Sequence, residues 1–378
     1  MQLKLSNKKS DAQGGAPAID MPENVHDPKT KSESLVGLDV SATGLAAVRV
    51  SDGRIRTASI AGVDPGAIVD GEIADPAALA GAISEFFGAN GMPKKVRMGV
   101  ASPRVVIRTI ELPLINDRKQ LDAAIRFQAA EHIPMPLNEA VLDHQVLRTI
   151  DAPDAPKLQI MLVAASRGLI DSISETARRA GIKLQGIDLA AFALIRSLYP
   201  GAAFAAETHA YVHFGDTVNV TIAEGRICKF TRTTAAGYEA MLARLRERVN
   251  LTHEHAQMWA DYVGLTAPLQ SLEGEPDIIQ ATREELASAA DQLGNDVTAS
   301  IDFHTAQEST SHVSRILLSG PGSSIPGLAE SLAARSGLGV ETPAPLGALD
   351  TGGIDGSGID ERRLTIAAGL ALEEVAAL

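Results

Sequence analysis

The sequence predicts an α/β protein built from two similar domains. The stretch LVGLDVSATGLAAVRVSDGRI, Leu35 to Ile55, has a shorter echo in YVHFGDTVNVTIAEGRI, Tyr211 to Ile227. Repetition at about half the length of the chain marks a duplicated unit. Around both copies, apolar runs of strand length alternate with segments of helical period. The 378 residues, 45% of them hydrophobic, suffice for two or three domain-sized units with filled cores.

Taken in order, Val36 to Val40 and Leu45 to Val50 are apolar runs joined by Ser41-Ala42-Thr43-Gly44, small residues that suit a hairpin turn. The echo repeats this design: Val212 to Phe214 enters Gly215-Asp216-Thr217, and Val218 to Ala223 leaves it. Two domains that each open with such a hairpin would bind a ligand between them. Val96 to Ala101 and Leu158 to Ala165 read as buried strands, Pro76 to Phe87 and Leu169 to Ala180 as helices. Gly181 suits a C-terminal cap, with Arg178 and Arg179 against the negative helix end. Asp117 and Gln120 form a capping-box-like start, and Leu121, Ala124, Ile125 and Ala129 share one apolar face. Pro134 forbids continuation, so that helix ends at His132 or Ile133, and Pro136 keeps the chain extended until a strand begins near Val141. Arg315 to Ser319 is a strand, Gly320-Pro321-Gly322 a turn and Ile325 to Arg335 a helix, a unit that offers backbone N–H groups to a phosphate. Thr351 to Gly358, with four glycines, reads as a surface loop.

Charge and composition exclude several functions. A net charge of −13 repels a phosphate backbone, so nucleic acid is not an expected partner. The lone Cys228 cannot form an internal disulfide, no apolar run approaches the roughly 20 residues of a membrane-spanning helix, and no signal-peptide pattern is present. The expected compartment is the cytoplasm. Residues 1–34 are polar and too poor in apolar groups to offset the entropy of ordering, and are expected to be a disordered tail. Lys4, Lys8 and Lys9 beside Leu3 and Leu5 give that tail a weak attraction to anionic membranes, too short a segment to anchor alone.

Few single residues suggest chemistry by type alone. His253 and His255 lie two apart in a helical segment, unlike metal-binding pairs at i and i+4, and read as surface residues. Trp259 reads as core and Cys228 as an inert buried thiol. His213 stands at the strand end facing the expected cleft, either as a neutral hydrogen-bonded ring or as a cationic anion contact.

The run AIRFQAAEHIPMPLNEAVLDHQVL, preceded by PGAIVDGEI and IRTIELP and followed by LVAASRGLIDS, resembles the type IV pilus assembly PilM family from Leu35 to the C-terminus. The resemblance is specific in the first half and looser in the second. It implies an actin-like (ribonuclease H-like) two-lobed α/β fold with duplicated domains and the extra subdomain that PilM shares with the division protein FtsA. The first lobe would take about 35–208 plus 364–378, with the extra subdomain at about 104–185. The second would take about 209–350, with a helical subdomain at about 237–312, and 351–363 would be a glycine-rich return loop.

The same resemblance implies a nucleotide site for ATP and Mg²⁺. Its residues would be Asp39, Ser41 and Thr43 in the first phosphate loop, Gly215, Asp216 and Thr217 in the second, and Gly320, Gly322 and Ser323 in the adenosine loop. Asp39 and Asp216 would hold the metal. Several positions depart from the pattern: Ser41 replaces a glycine, Ala46 a lysine and His213 the second aspartate. The second loop is read as one residue shorter than the family's. Pro321 removes an N–H, and Gln257 and Ala260 stand where a Glu and Lys clamp adenosine. The site therefore reads as degenerate or weak, with an active Mg-ATPase as the alternative and an FtsA-like division filament as a remoter one. The resemblance also implies a partner, the cytoplasmic N-terminal tail of a PilN-like inner-membrane protein. That tail would be received between the first lobe's main and extra subdomains by Arg126, Phe127, Glu131, Ile133, Pro134 and Pro136. Through this partner, and through a pilus motor ATPase, the chain would work at the cytoplasmic face of the inner membrane in a pilus or type II secretion platform.

Overall fold

A computed structural model describes residues 35–378 except 65, 70, 152–154, 308–310, 348, 355–357 and 373–378. The expected tail, residues 373–378 of the segment assigned to the first lobe, and part of the glycine-rich loop thus lie outside the described residues. The chain begins with a hairpin, β1 (Val36–Ser41) and β2 (Gly44–Ser51), then β3 (Arg54–Gly62), a small hairpin of β4 (Ile68–Val69) and β5 (Glu72–Ile73), α1 (Pro76–Ala89) and β6 (Lys95–Val100). The extra subdomain follows with β7 (Val105–Pro113), α2 (Arg118–His132), β8 (Ala140–Ile150) and β9 (Lys157–Ser166). Next come α3 (Arg167–Arg179), β10 (Lys183–Leu189) and α4 (Ala190–Leu198). The second half contains β11 (Thr208–Phe214), β12 (Val218–Glu224), β13 (Ile227–Thr234), α5 (Tyr238–Val249), α6 (His253–Val263) and α7 (Pro276–Thr305). It closes with β14 (Val313–Ser319), α8 (Leu328–Ser336), β15 (Gly339–Glu341) and α9 (Thr365–Ala371).

The duplication suggested by the two hairpins extends to whole sheets. One has the strand order β10-β6-β1-β2-β3 and the other β15-β14-β11-β12-β13. In each, the hairpin strands are antiparallel and the next strands parallel. A three-stranded antiparallel sheet, β7-β9-β8, forms the extra subdomain, with α2 packed on one face through Ile125, Ala129 and Ile133.

Local chemistry fixes the helix ends. Asp75 accepts from the N–H groups of Ala77 and Ala78 ahead of Pro76, and Asp117 accepts from Gln120 N at 2.8 Å. After α3 the Gly181 N–H returns to Arg178 O and the Ile182 N–H to Ala177 O, the expected C-terminal cap. The helix expected from Ile325 starts only at Leu328, because Pro326 and the left-handed Gly327 (φ 86°) interrupt it.

Two buried helices join the lobes. In α4, AAFALIRSL, all but Arg196 are buried, the signature of a helix enclosed on every side. It packs against α9, where a Cβ on Gly369 would lie 2.0 Å from Ala193 O, so only glycine allows this approach. Arg97, buried within β6, donates to the carbonyls of Leu370 and Leu372 and ties down the returning chain.

Candidate functional site

The C-terminal ends of the two central strands, β1 and β11, face each other across a cleft of about 360 Å³. Asp39, near the end of β1, opposes Ala46. Burial, and then the negative charge of Asp216, pushes the Asp39 carboxyl from 3.8 to about 7, partly opposed by the Val40 backbone and Arg363. His213, at the corresponding place on β11, is buried and shares a hydrogen bond with Ser319 Oγ at 3.2 Å. Burial lowers its pKa from 6.5 to about 4, so the imidazole is neutral, the first of the two forms the sequence left open.

The loop tips meet directly. The Thr43 N–H donates to Asp216 Oδ2 at 2.9 Å, and the Thr43 hydroxyl donates to Oδ1 at 2.9 Å, with Oδ2 at 3.1 Å. Arg363 Nη2 donates to the same hydroxyl oxygen at 3.3 Å. Glu239, from the first turn of α5, also faces the cleft. Burial and then Asp216 raise it from 4.5 to about 7, opposed by Arg363 and Arg246. His253, expected at the surface, is half-buried in the wall of the cleft just after the Thr252 cap of α6, with Nδ1 3.7 Å from Glu239.

Of the nine residues expected to hold nucleotide, the cleft gathers Asp39, Ser41, Thr43, Gly215, Asp216 and Thr217. Gly320, Gly322 and Ser323 are not in its wall, although Pro321 is. They serve packing and turn formation: a Cβ on Gly322 would fall 2.4 Å from the Phe214 ring, and Ser323 Oγ donates to Gly320 O at 2.7 Å. Ala260 is fully buried. Sequence reasoning missed Glu239, Arg246 and Arg363, the charged residues that complete the cleft. Glu239 and Arg246 lie seven apart, two turns of α5, and that spacing was the one signal available.

The sequence matches the family described as Type IV pilus assembly protein PilM over residues 37–375. The chain belongs to the PilM family. It overlays a solved PilM–PilN type IV pilus biogenesis complex with a TM-score of 0.72 at 23% identity, covering 89% of this chain and 97% of that one. It also overlays MreB5 of Spiroplasma citri bound to ADP (TM-score 0.51, 10% identity, 83% and 92% covered) and bound to AMPPNP (0.52, 11%, 82% and 91%). Together with the paired sheets, these likenesses establish the actin-like fold.

This PilM-family chain has a second cavity, of about 460 Å³, where the first lobe, the extra subdomain and the second lobe converge. Its walls include Val106 and Arg108 of β7, Phe230 and Arg232 of β13, and Ala299 and Phe303 of α7. Both β7 and β13 are outermost in their sheets, so each presents a strand edge. Phe230 and Phe303 pack with ring centroids 5.4 Å apart, and Phe303 is 52% exposed.

The six residues expected to grip a partner tail lie elsewhere. Arg126, Phe127 and Glu131 are exposed on α2, Pro134 and Pro136 are exposed in the turn after it, and Ile133 is buried beneath it in the subdomain core. None of them lines either cavity. Among the described residues, no helix is long and apolar enough to cross a membrane, and no group of three or more His, Cys, Asp or Glu side chains is placed to hold a metal ion.

Proposed function

We propose that this PilM-family protein is a scaffold of a type IV pilus or type II secretion platform, gripping the cytoplasmic N-terminal tail of a PilN-like inner-membrane protein in the cavity between β7 and β13. The partner, not this chain, supplies the membrane attachment, and a pilus motor ATPase is the further contact this reading expects. The carrying observation is the pair of outermost strands bordering one partly apolar cavity. An extended peptide gains affinity from backbone pairing on such an edge and specificity from pockets for alternate side chains. In this reading the chain divides as the family resemblance implies, with lobes at about 35–208 plus 364–378 and 209–350, and the subdomain at about 104–185.

Nucleotide binding is at most weak in this proposal. Thr43 and Thr217 offer hydroxyls and backbone donors suited to phosphate. As a Mg²⁺ seat, however, the cleft fits poorly: His213 is neutral where a second carboxylate would stand, and Asp216 already accepts three hydrogen bonds from Thr43. Mg-dependent hydrolysis is the alternative; turnover of Mg-ATP by the purified chain would favour it.

The tail-binding reading is tested with the full chain and a synthetic peptide of a PilN-like tail. Ala299→Arg fills the cavity from an exposed position without disturbing the core. It is expected to weaken binding about tenfold or more, at least ~1.4 kcal/mol. A second reading has its own support in Phe127, which is 69% exposed on α2. If Phe127→Glu abolishes binding and Ala299→Arg leaves it intact, the tail docks on α2 instead.

A further inference from the structure

The contact between the two loop tips joins residues 173 apart in sequence and opposite lobes. Its chemistry is that of an anion site. A backbone N–H and a hydroxyl at a tight hairpin turn converge on two oxygens, and Arg363 approaches from the return segment of the first lobe. A phosphate at the same turn would use these same donors. The anion present is a side chain of the protein itself.

The surroundings hold Asp216 in that position. The Tyr238 N–H donates to Gly215 O at 2.7 Å, and a Cβ on Gly237 would come within 2.3 Å of the carbonyls of Gly215 and Asp216, so the start of α5 backs the loop closely. On the other side, a Cβ on Gly71 would meet Thr217 Cγ2 at 3.7 Å and Ala101 O at 2.4 Å, so Gly71 lies beside the loop. The negative charge of Asp216 is felt by both Asp39 and Glu239, so an incoming polyphosphate would meet repulsion as well as occupied donors.

We propose that Asp216 is an internal anion that holds the cleft shut from the place an incoming phosphate would take. The contact is thus a latch between the lobes and not half of a metal site. The inference deepens the weak-nucleotide reading, on which its second arm rests: removing the carboxylate should open the cleft and free the phosphate donors together.

The experiment uses the full chain, as wild type, Asp216→Ala and Thr43→Val, with two readouts. Hydrogen exchange reports closure: amides across both hairpin turns, residues 41–46 and 215–218, should exchange about tenfold faster or more in Asp216→Ala. Calorimetric titration with Mg-ATP reports competition: affinity should rise about tenfold or more in Asp216→Ala. Thr43→Val keeps the carboxylate and the N–H donor but loses the hydroxyl, and should loosen the turns in the same direction by a smaller factor. It serves as the check should Asp216→Ala fold poorly. Unchanged exchange in both variants overturns the latch. Weaker Mg-ATP binding in Asp216→Ala also overturns it, and makes Asp216 a metal ligand. Faster exchange with no Mg-ATP binding by any of the three proteins leaves the latch standing and removes the nucleotide reading.

Discussion

The two hairpins share a scaffold and differ at the position that matters most. Register makes the comparison exact to the residue: Leu38 pairs with Met98 as Val212 pairs with Leu318, so Asp39 corresponds to His213, and Gly99 to Ser319. Beside Asp39 stands a glycine with no side chain to donate. Beside His213 stands a hydroxyl within hydrogen-bonding distance. Opposite residue types reach the same end, since burial raises the acid to about 7 and lowers the base to about 4. The floor of the cleft therefore carries less charge at neutral pH than its residue names suggest. The negative charge has moved to the loop tip at Asp216, which only the second hairpin possesses, its turn holding Gly215-Asp216-Thr217 between Phe214 and Val218 where the first holds Ser41-Ala42-Thr43-Gly44 between Val40 and Leu45.

Making the hairpins alike should be costly. His213→Asp would put a carboxylate on each strand, but the new one would be buried beside a Ser319 hydroxyl that donates to Val212 O, in the same cleft as Asp216 and Asp39. Burying an uncompensated carboxylate destabilises by about 3 kcal/mol or more. A lower urea midpoint at pH 8 is the expected result. A midpoint unchanged from wild type would mean that the two strands remain interchangeable at this site and that the asymmetry is incidental.

An effect of comparable size and opposite sign is expected from Asp39→Asn. Above pH 4 the unfolded chain has released this proton, whereas the folded chain keeps it until about 7. In that window the folded state binds more protons, so the contribution of Asp39 to stability is present below pH 4 and lost as pH rises to 7. His213 runs the other way: its contribution is present above 6.5 and lost as pH falls toward 4. The two slopes oppose each other in the wild type. Asn cannot titrate, so Asp39→Asn should be more stable than wild type at pH 8, by up to about 4 kcal/mol, with no gain at pH 4. Its stability should also rise more steeply from pH 4 to 6.5. Thermal unfolding across pH checks both, and a difference independent of pH would show that Asp39 is ionised like an exposed aspartate.

The paired hairpins were legible because strand alternation and turn residues are local signals, and Leu35 to Ile55 displays both within a single stretch. Residues on α1, α2 and α3 were legible for the same reason, down to the caps at Asp117 and Gly181. What the sequence did not yield depends on distant contacts. Arg363 reaches Thr43 from 320 residues away, and nothing in ERRL marks which arginine turns inward. The burial of α4 follows from being enclosed by two lobes, and the alanine-rich AAFALIRSL has no polar face to orient it. The six residues around α2 stood out because their sequence was the most individual. Their exposure or burial was fixed by which face of the β7-β9-β8 sheet the helix covers, and periodicity gives the apolar side of a helix without naming what it packs on.

The least expected change lies at the neighbour that distinguishes the two strands. Ser319 Oγ lies 3.2 Å from His213 Nδ1 and donates to Val212 O at 3.3 Å, so it satisfies two groups in a buried setting. Ser319→Ala gives β14 a side chain as inert as Gly99 and leaves the imidazole nitrogen without its partner. The expected loss is about 1 kcal/mol, the usual cost of one unsatisfied buried group. Because the ring is already neutral, this loss should be the same at pH 7 and pH 8. If it instead grows as pH falls from 7 to 6, the serine is bonding to a protonated ring. The second strand would then carry a positive charge facing the Asp216 latch, and the likeness between the two floors would fail.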